Sequence, residues 1–117
     1  MSTLPWKTLS SPADLESAHE ASFSSPVVLY KHSTRCSISS MAMMRLEREY
    51  SPTPLQFYYL DLIQYRAVSN AIAEKYKVYH ESPQVLLLVN GECVYDASHM
   101  EINFAELISE ADTHAVL

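Results

Sequence analysis

The sequence predicts an α/β domain: a mixed central sheet of about four strands with helices on both faces. Three observations carry this. Short apolar runs alternate with helical patterns along the 117 residues, a βα order that calls for parallel strands and crossover helices. The run Val27-Val28-Leu29 is apolar without alternation, as in a strand buried on both faces. Asn90-Gly91 lies between two strand-like segments and is the strongest hairpin signal in the chain, so the last two strands are antiparallel.

In chain order, Trp6-Lys7-Thr8-Leu9 is a possible short edge strand. Ser11-Pro12-Ala13-Asp14 opens the first helix, with Ser11 as N-cap, proline at the first helical position and acidic residues in the first turns, and that helix runs to Ala21 or Ser22. After Ser25-Pro26 comes the strand Val27 to Lys31. A polar turn follows, and a helix runs from about Ser37 to Tyr50, where Ser51-Pro52-Thr53-Pro54 stops it. Leu55 to Asp61, rich in aromatic residues, is the second main strand. Tyr65, Val68, Ile72 and Tyr76 recur at helical steps and mark a third helix. A turn containing Pro83 leads to the strand Gln84 to Val89, the hairpin to the strand Glu92 to Asp96, and a helix from about Glu101 to Ala111 closes the domain, which is read as a single unit over residues 1–117.

Length and composition bound the function. A chain of this size buries about two-thirds of the surface its unfolded form exposes and needs no disulfide or metal staple. Fourteen acidic residues against eight basic ones give a formal charge of −6. With no Lys/Arg block, this argues against nucleic acid or an anionic membrane as partner. The start Met1-Ser2-Thr3-Leu4-Pro5-Trp6-Lys7 lacks the pattern of a leader, and the longest aliphatic run, Val85 to Val89, is too short for a bilayer. The expectation is a cytoplasmic protein whose two cysteines stay reduced at rest, which disfavours a structural Cys36–Cys93 disulfide. Neither cysteine has metal-ligand spacing to the five histidines, and no metal is expected.

Cys36 is the candidate for chemistry, because it stands where the strand breaks into the turn and the next helix begins. Unpaired N–H groups and the positive end of the helix dipole stabilise an anion there. Lowering a thiol from about 8.5 to about 7 raises its reactive fraction near neutral pH from under a tenth to roughly half. Arg35 and His32 add to the effect if their side chains turn toward the sulfur. The bland alternative, a small buried hydrophobe, stays open on this spacing alone. Cys93, alternating with Glu92 and Val94 on a hairpin strand, reads as a buried structural residue rather than a resolving thiol. Met41, Met43 and Met44 read as core filling for the Cys36 helix. His32 and His80 either orient the thiol or cap local backbone.

The element order is that of the thioredoxin-like fold, in which Cys36 takes the usual active position. Proteins of that fold carry a cis-proline immediately before the strand that opens the hairpin, and Pro83 occupies that place. Local sequence favours the trans isomer, so cis is what the resemblance implies, with the Ser82 backbone free to pair with an incoming substrate. Together, Lys31-His32-Ser33-Thr34-Arg35-Cys36-Ser37-Ile38-Ser39, Tyr59-Leu60-Asp61, Tyr65-Arg66-Ala67-Val68-Ser69, His80-Glu81-Ser82-Pro83-Gln84, Asn90-Gly91 and Ser98-His99 resemble the YtxJ-like monothiol bacilliredoxin family over roughly residues 6 to 104.

That resemblance implies a stress-related thiol–disulfide oxidoreductase that removes bacillithiol, or another low-molecular-weight thiol, from mixed disulfides on S-thiolated client proteins. Cys36 is then the attacking thiol and no bound cofactor is needed. Ser39, at the place of the second cysteine of dithiol thioredoxins, cannot resolve a disulfide but has a hydroxyl to donate to the thiolate. Ser82, Pro83, Thr34 and His80 line the substrate side. The family's Thr-Cys-Pro-Ile-Ser form stands here as Arg35-Cys36-Ser37-Ile38-Ser39, which adds a cation and exchanges a rigid first-turn residue for a donor, Ser37. The alternative from another class is a non-catalytic binding or stress-response module on the same scaffold.

Overall fold

The computed structural model describes residues 4–115; Met1–Thr3 and Val116–Leu117, the ends of the expected domain, lie outside the described residues. The elements are β1 (Lys7–Thr8), α1 (Pro12–Ala21), β2 (Val27–His32), α2 (Ser37–Glu49), β3 (Gln56–Asp61), α3 (Arg66–Tyr76), β4 (Gln84–Val89), β5 (Glu92–Ser98), a 3-10 turn (His99–Glu101) and α4 (Phe104–Ala115). The sheet has five strands in the order β1-β3-β2-β4-β5. β1 and β2 run parallel to β3, while β4 is antiparallel to both β2 and β5. The expected edge strand exists, as two residues against Tyr58 and Tyr59.

Two cores explain why β2 and β4 are continuously apolar. Val28, Tyr30, Val85 and Leu87 face α2 and α4 through Ala42, Leu46, Phe104 and Leu107. Val27, Leu29, Leu86 and Leu88 face α1 and α3 through Leu15, Ala18, Val68 and Ile72. Alternate side chains of one strand thus enter opposite cores, so neither face has room for a polar residue. The exceptions cluster where the strands end: Lys31 and His32 close β2, and Gln84 opens β4, all three buried. The register pairs Lys31 with Gln84. The segment after β2 and the segment before β4 therefore leave adjacent strands at one end of the sheet, which brings Cys36 and Pro83 to the same pole.

Three expectations change. Met41 and Met44 are not core: they are 55% and 64% exposed, and only Met43 packs partly on the core. α2 seats itself through Ser39, Ala42 and Leu46, a narrow stripe at three- and four-residue steps that leaves Met41 and Met44 outside it. β5 continues to Ser98 because Ser98 and Ala97 still pair with Gln84 and Val85. The last helix begins at Phe104 rather than Glu101, since His99–Glu101 forms a 3-10 turn and the Asn103 side chain accepts the Glu106 N–H at 2.9 Å.

Candidate active site around Cys36

β2 delivers Tyr30, Lys31 and His32 to the pole, the turn Ser33–Arg35 reverses the chain, and Cys36 becomes the N-cap of α2. Its backbone is extended, with φ −115° and ψ 118°. Its N–H donates to the Ser33 carbonyl at 3.2 Å, and its own carbonyl accepts from Ser40 N–H at 3.1 Å. The sulfur is half-buried and caps no backbone donor. No acidic side chain occupies the first turn of α2, so nothing there neutralises the positive end of the helix beside the thiol.

The wall behind Cys36 is a buried hydrogen-bond cluster centred on Ser39. The Ser39 hydroxyl accepts the Ser33 N–H at 3.0 Å and lies 2.7 Å from His32 Nδ1. The Tyr30 hydroxyl donates to the Ser39 carbonyl at 2.6 Å. The hydroxyl expected to serve the thiolate is thus engaged by His32 and Ser33, and it fixes the turn that carries Cys36. Burial pushes Tyr30 up to about 12, which keeps it a neutral donor. His32 is pulled below the ordinary histidine value by burial, against the nearby Asp61 carboxylate, and stays neutral at pH 7. Its ring lies between those of Tyr30 and Tyr59, with centroids 5.9 and 5.4 Å away. Thr34, Arg35 and Ser37 are exposed on the turn, and Arg35 makes no ion pair among the described residues.

Across the pole, the Ser82–Pro83 peptide is cis, and the Pro83 carbonyl accepts from His99 N–H at 3.0 Å. The Gln84 side chain donates to the Tyr79 carbonyl at 2.9 Å. Its Oε1 and the Ser82 hydroxyl are buried with no hydrogen-bond partner among the described residues. Lys31, fully buried, places Nζ 3.3 Å from His80 Nδ1. Burial pulls Lys31 down to about 8. His80 is lowered by burial and then by the Lys31 and Arg66 charges, with Glu81 opposing.

The fold therefore collects Cys36, Arg35, Ser37, Thr34, Ser39 and His32 on one side of the pole, and His80, Ser82 and Pro83 on the other. Cys93 lies elsewhere. It pairs with Leu88 near the far end of β4, its thiol donates to the Tyr95 carbonyl at 3.4 Å, and burial pushes it up to about 11. Both cysteines are free thiols. Tyr30, Lys31 and Asp61 escaped the sequence reading as members of the site. The signal for the first two was present, because polar groups ending a strand buried on both faces must find partners there.

A half-buried thiol on the N-cap residue of the helix that follows a central strand, opposite a cis-proline that opens an antiparallel strand, defines a thioredoxin-fold protein. Solved structures agree. One described as a candidate oxidoreductase with a thioredoxin fold is 35% identical, with a TM-score of 0.80 and coverage of 90% of this chain and 92% of that one. A mutant thioredoxin from Halobacterium salinarum NRC-1 matches at TM-score 0.76 and 15% identity, covering 100% and 96%. The Malassezia sympodialis thioredoxin matches at 0.74 and 13%, covering 99% and 96%. Residues 7–107 match the family of the monothiol bacilliredoxin BrxC, and the chain belongs to that family. Among the described residues no helix is long and apolar enough to cross a membrane, and no group of three or more His, Cys, Asp or Glu side chains is arranged to hold a metal ion.

Proposed function

We propose that this protein is a thiol–disulfide oxidoreductase that works through Cys36 alone, taking bacillithiol or another low-molecular-weight thiol from mixed disulfides on client proteins in the cytoplasm. The observation that carries the reading is the division of sulfur at the pole: Cys36 caps α2 with its sulfur uncommitted, while Ser39 stands one turn further with its hydroxyl held by His32 and Ser33. A one-sulfur site transfers a thiol and has no internal partner with which to form a disulfide.

The chemistry balances without an external oxidant. The Cys36 thiolate attacks the small thiol's sulfur, the mixed disulfide breaks, and the client sulfur departs as thiolate and takes a proton from solvent. Cys36 now carries the small thiol. A second small-thiol anion attacks that adduct at its outer sulfur, frees Cys36 and leaves as a symmetrical disulfide. His80, Ser82, Pro83 and Thr34 line the side from which the client approaches. The Ser82 backbone offers it strand-like pairing, and Arg35 and Ser37 supply a cation and a donor beside the sulfur.

Two mass-spectrometric measurements test this. One is alkylation of Cys36 across a pH series, and the other is transfer from a bacillithiol-modified protein. Adduct moving onto Cys36, and lost in Cys36→Ser with the fold intact, is the expected result. A Cys36 that alkylates slowly at every pH and accepts no adduct overturns the reading and leaves a binding module on a thioredoxin fold.

A further inference from the structure

Lys31 is the anomaly of the pole. It is a fully buried lysine, and no carboxylate pairs with it among the described residues. An ammonium taken from water without an anion is costly unless its protons are accepted elsewhere. Its hydrogen-bond partner is His80 Nδ1, at 3.3 Å. An ammonium carries donors and no acceptor, so the shared proton belongs to lysine and the lone pair to Nδ1. A neutral imidazole whose Nδ1 accepts must carry its own hydrogen on Nε2. His80, unlike Lys31, is exposed, so Nδ1 meets the buried lysine while Nε2 sits across the ring from it. The same residue begins the segment His80-Glu81-Ser82-Pro83-Gln84, where Ser82 Oγ and Gln84 Oε1 are buried with no hydrogen-bond partner among the described residues.

We propose that Lys31 is a positioning residue for His80, holding its ring as the Nε2–H tautomer so that this N–H donates to a carbonyl or carboxylate oxygen of the disulfide substrate seated at the Ser82–Pro83 edge. The inference rests on the exchange reading above. The groups that face His80 agree with it: Lys31 and Arg66 both disfavour protonation of the ring, against Glu81, and with burial they keep it neutral at pH 7. The arrangement loosens as Lys31 loses its own proton around pH 8, because an amine can accept as well as donate and then no longer dictates the tautomer. Lysine thereby sets the hydrogen-bond polarity of a residue that can touch substrate, without touching substrate itself.

Long-range 1H–15N spectra of the labelled protein read the His80 tautomer directly, and His80→Gln assigns its signals. The expected result is Nε2–H at pH 7, a mixture by about pH 9.5, and a mixture at pH 7 in Lys31→Met. Exchange with a peptide carrying bacillithiol as a mixed disulfide should slow about 3- to 10-fold in Lys31→Met. In the His80→Gln background, where the side-chain amide donates without a tautomer to set, adding Lys31→Met should change the rate less than about 1.5-fold. An Nδ1–H ring in the unmodified protein overturns the inference, as do Lys31 and His80 effects that multiply independently. If Lys31→Met does not fold, the pH series on the unmodified protein decides alone. A protein that shows the Nε2–H ring but exchanges nothing overturns the exchange reading and leaves the lysine-set tautomer standing.

Discussion

Cys36 and Cys93 bear the same side chain in opposite surroundings. Cys36 follows the turn after a buried strand, takes the N-cap position of a helix and keeps its sulfur free of backbone partners. Cys93 lies on the edge strand β5, under half-buried neighbours, with its thiol donating to Tyr95 and its ionisation pushed up to about 11 by burial. Both are only part-exposed, so accessibility does not separate them. What differs is what the fold sets against burial: Cys36 stands at a helix terminus, whereas at Cys93 burial outweighs the backbone hydrogen bonds with Tyr95 and Leu87 and the Asp96 carboxylate adds to it.

The largest effect that could break this contrast is loss of turnover. Cys36→Ser should lower exchange by at least about a thousandfold, to background, while Cys93→Ser stays within about twofold. Equal losses in the two variants, measured with a bacillithiol-modified peptide, would end the comparison. Labelling by iodoacetamide sharpens it. At pH 8 a thiol that titrates near 11 is about one part in a thousand thiolate, so Cys36 should be modified first. Cys93 labelling should then climb about tenfold per pH unit until near 11. Early labelling of Cys93 would show that burial does not hold its proton.

A smaller effect concerns the wall behind Cys36. Ser39→Ala strands the Ser33 N–H and removes the neighbour of His32 Nδ1, and denaturant titration should find a loss of about 1–3 kcal/mol. No loss would mean that the cluster does not hold the turn. The smallest effects are in the pH dependence of stability. Cys93 titrates higher folded than unfolded, so stability should fall as pH rises from about 9 to about 11, a slope that Cys93→Ala removes. Lys31 is depressed by folding, so its contribution has the opposite sign: stability should fall as pH drops from about 10.5 toward 8. Lys31→Met should flatten that slope and raise stability at pH 7 by about 1 kcal/mol.

Much of the fold was legible because local rules and tertiary packing agree. The Ser11-Pro12 start of α1, the apolar runs of β2 and β4 and the Asn90-Gly91 turn appear as read. Departures arise where a partner strand or helix decides. β5 extends to Ser98 because β4 is long enough to pair with it, which the β5 sequence alone does not encode. The start of α4 was readable in principle, since Asn103 and Glu106 have cap spacing, but the apolar Ile102 blurred the boundary. The exposed Met41 and Met44 were misread by residue type, although the stripe Ser39-Ala42-Met43-Leu46 was there to count. Cys36 stood out as a strand-to-helix junction. Ser39, His32 and His80 were read beside it, but the contact of Lys31 with His80 was not, because a buried lysine facing a histidine 49 positions away becomes visible only once β2 and β4 are side by side.

At the pole opposite Cys36, the chain's one glycine has a consequence for anyone who wishes to attach something to this protein. Gly91 adopts φ +81°, and a Cβ there would come 2.7 Å from the Phe23 ring. Its N–H donates to Ser22 Oγ at 2.9 Å, while Asn90 N–H donates to the Ser22 carbonyl at 2.9 Å. A tight hairpin is ordinarily an inviting place to splice in a reporter or to cut for circular permutation, but here it is riveted to the end of α1 and leaves no slack. The exposed Ser51-Pro52 connection, free of such stitches, is the better graft point for a tethered sensor.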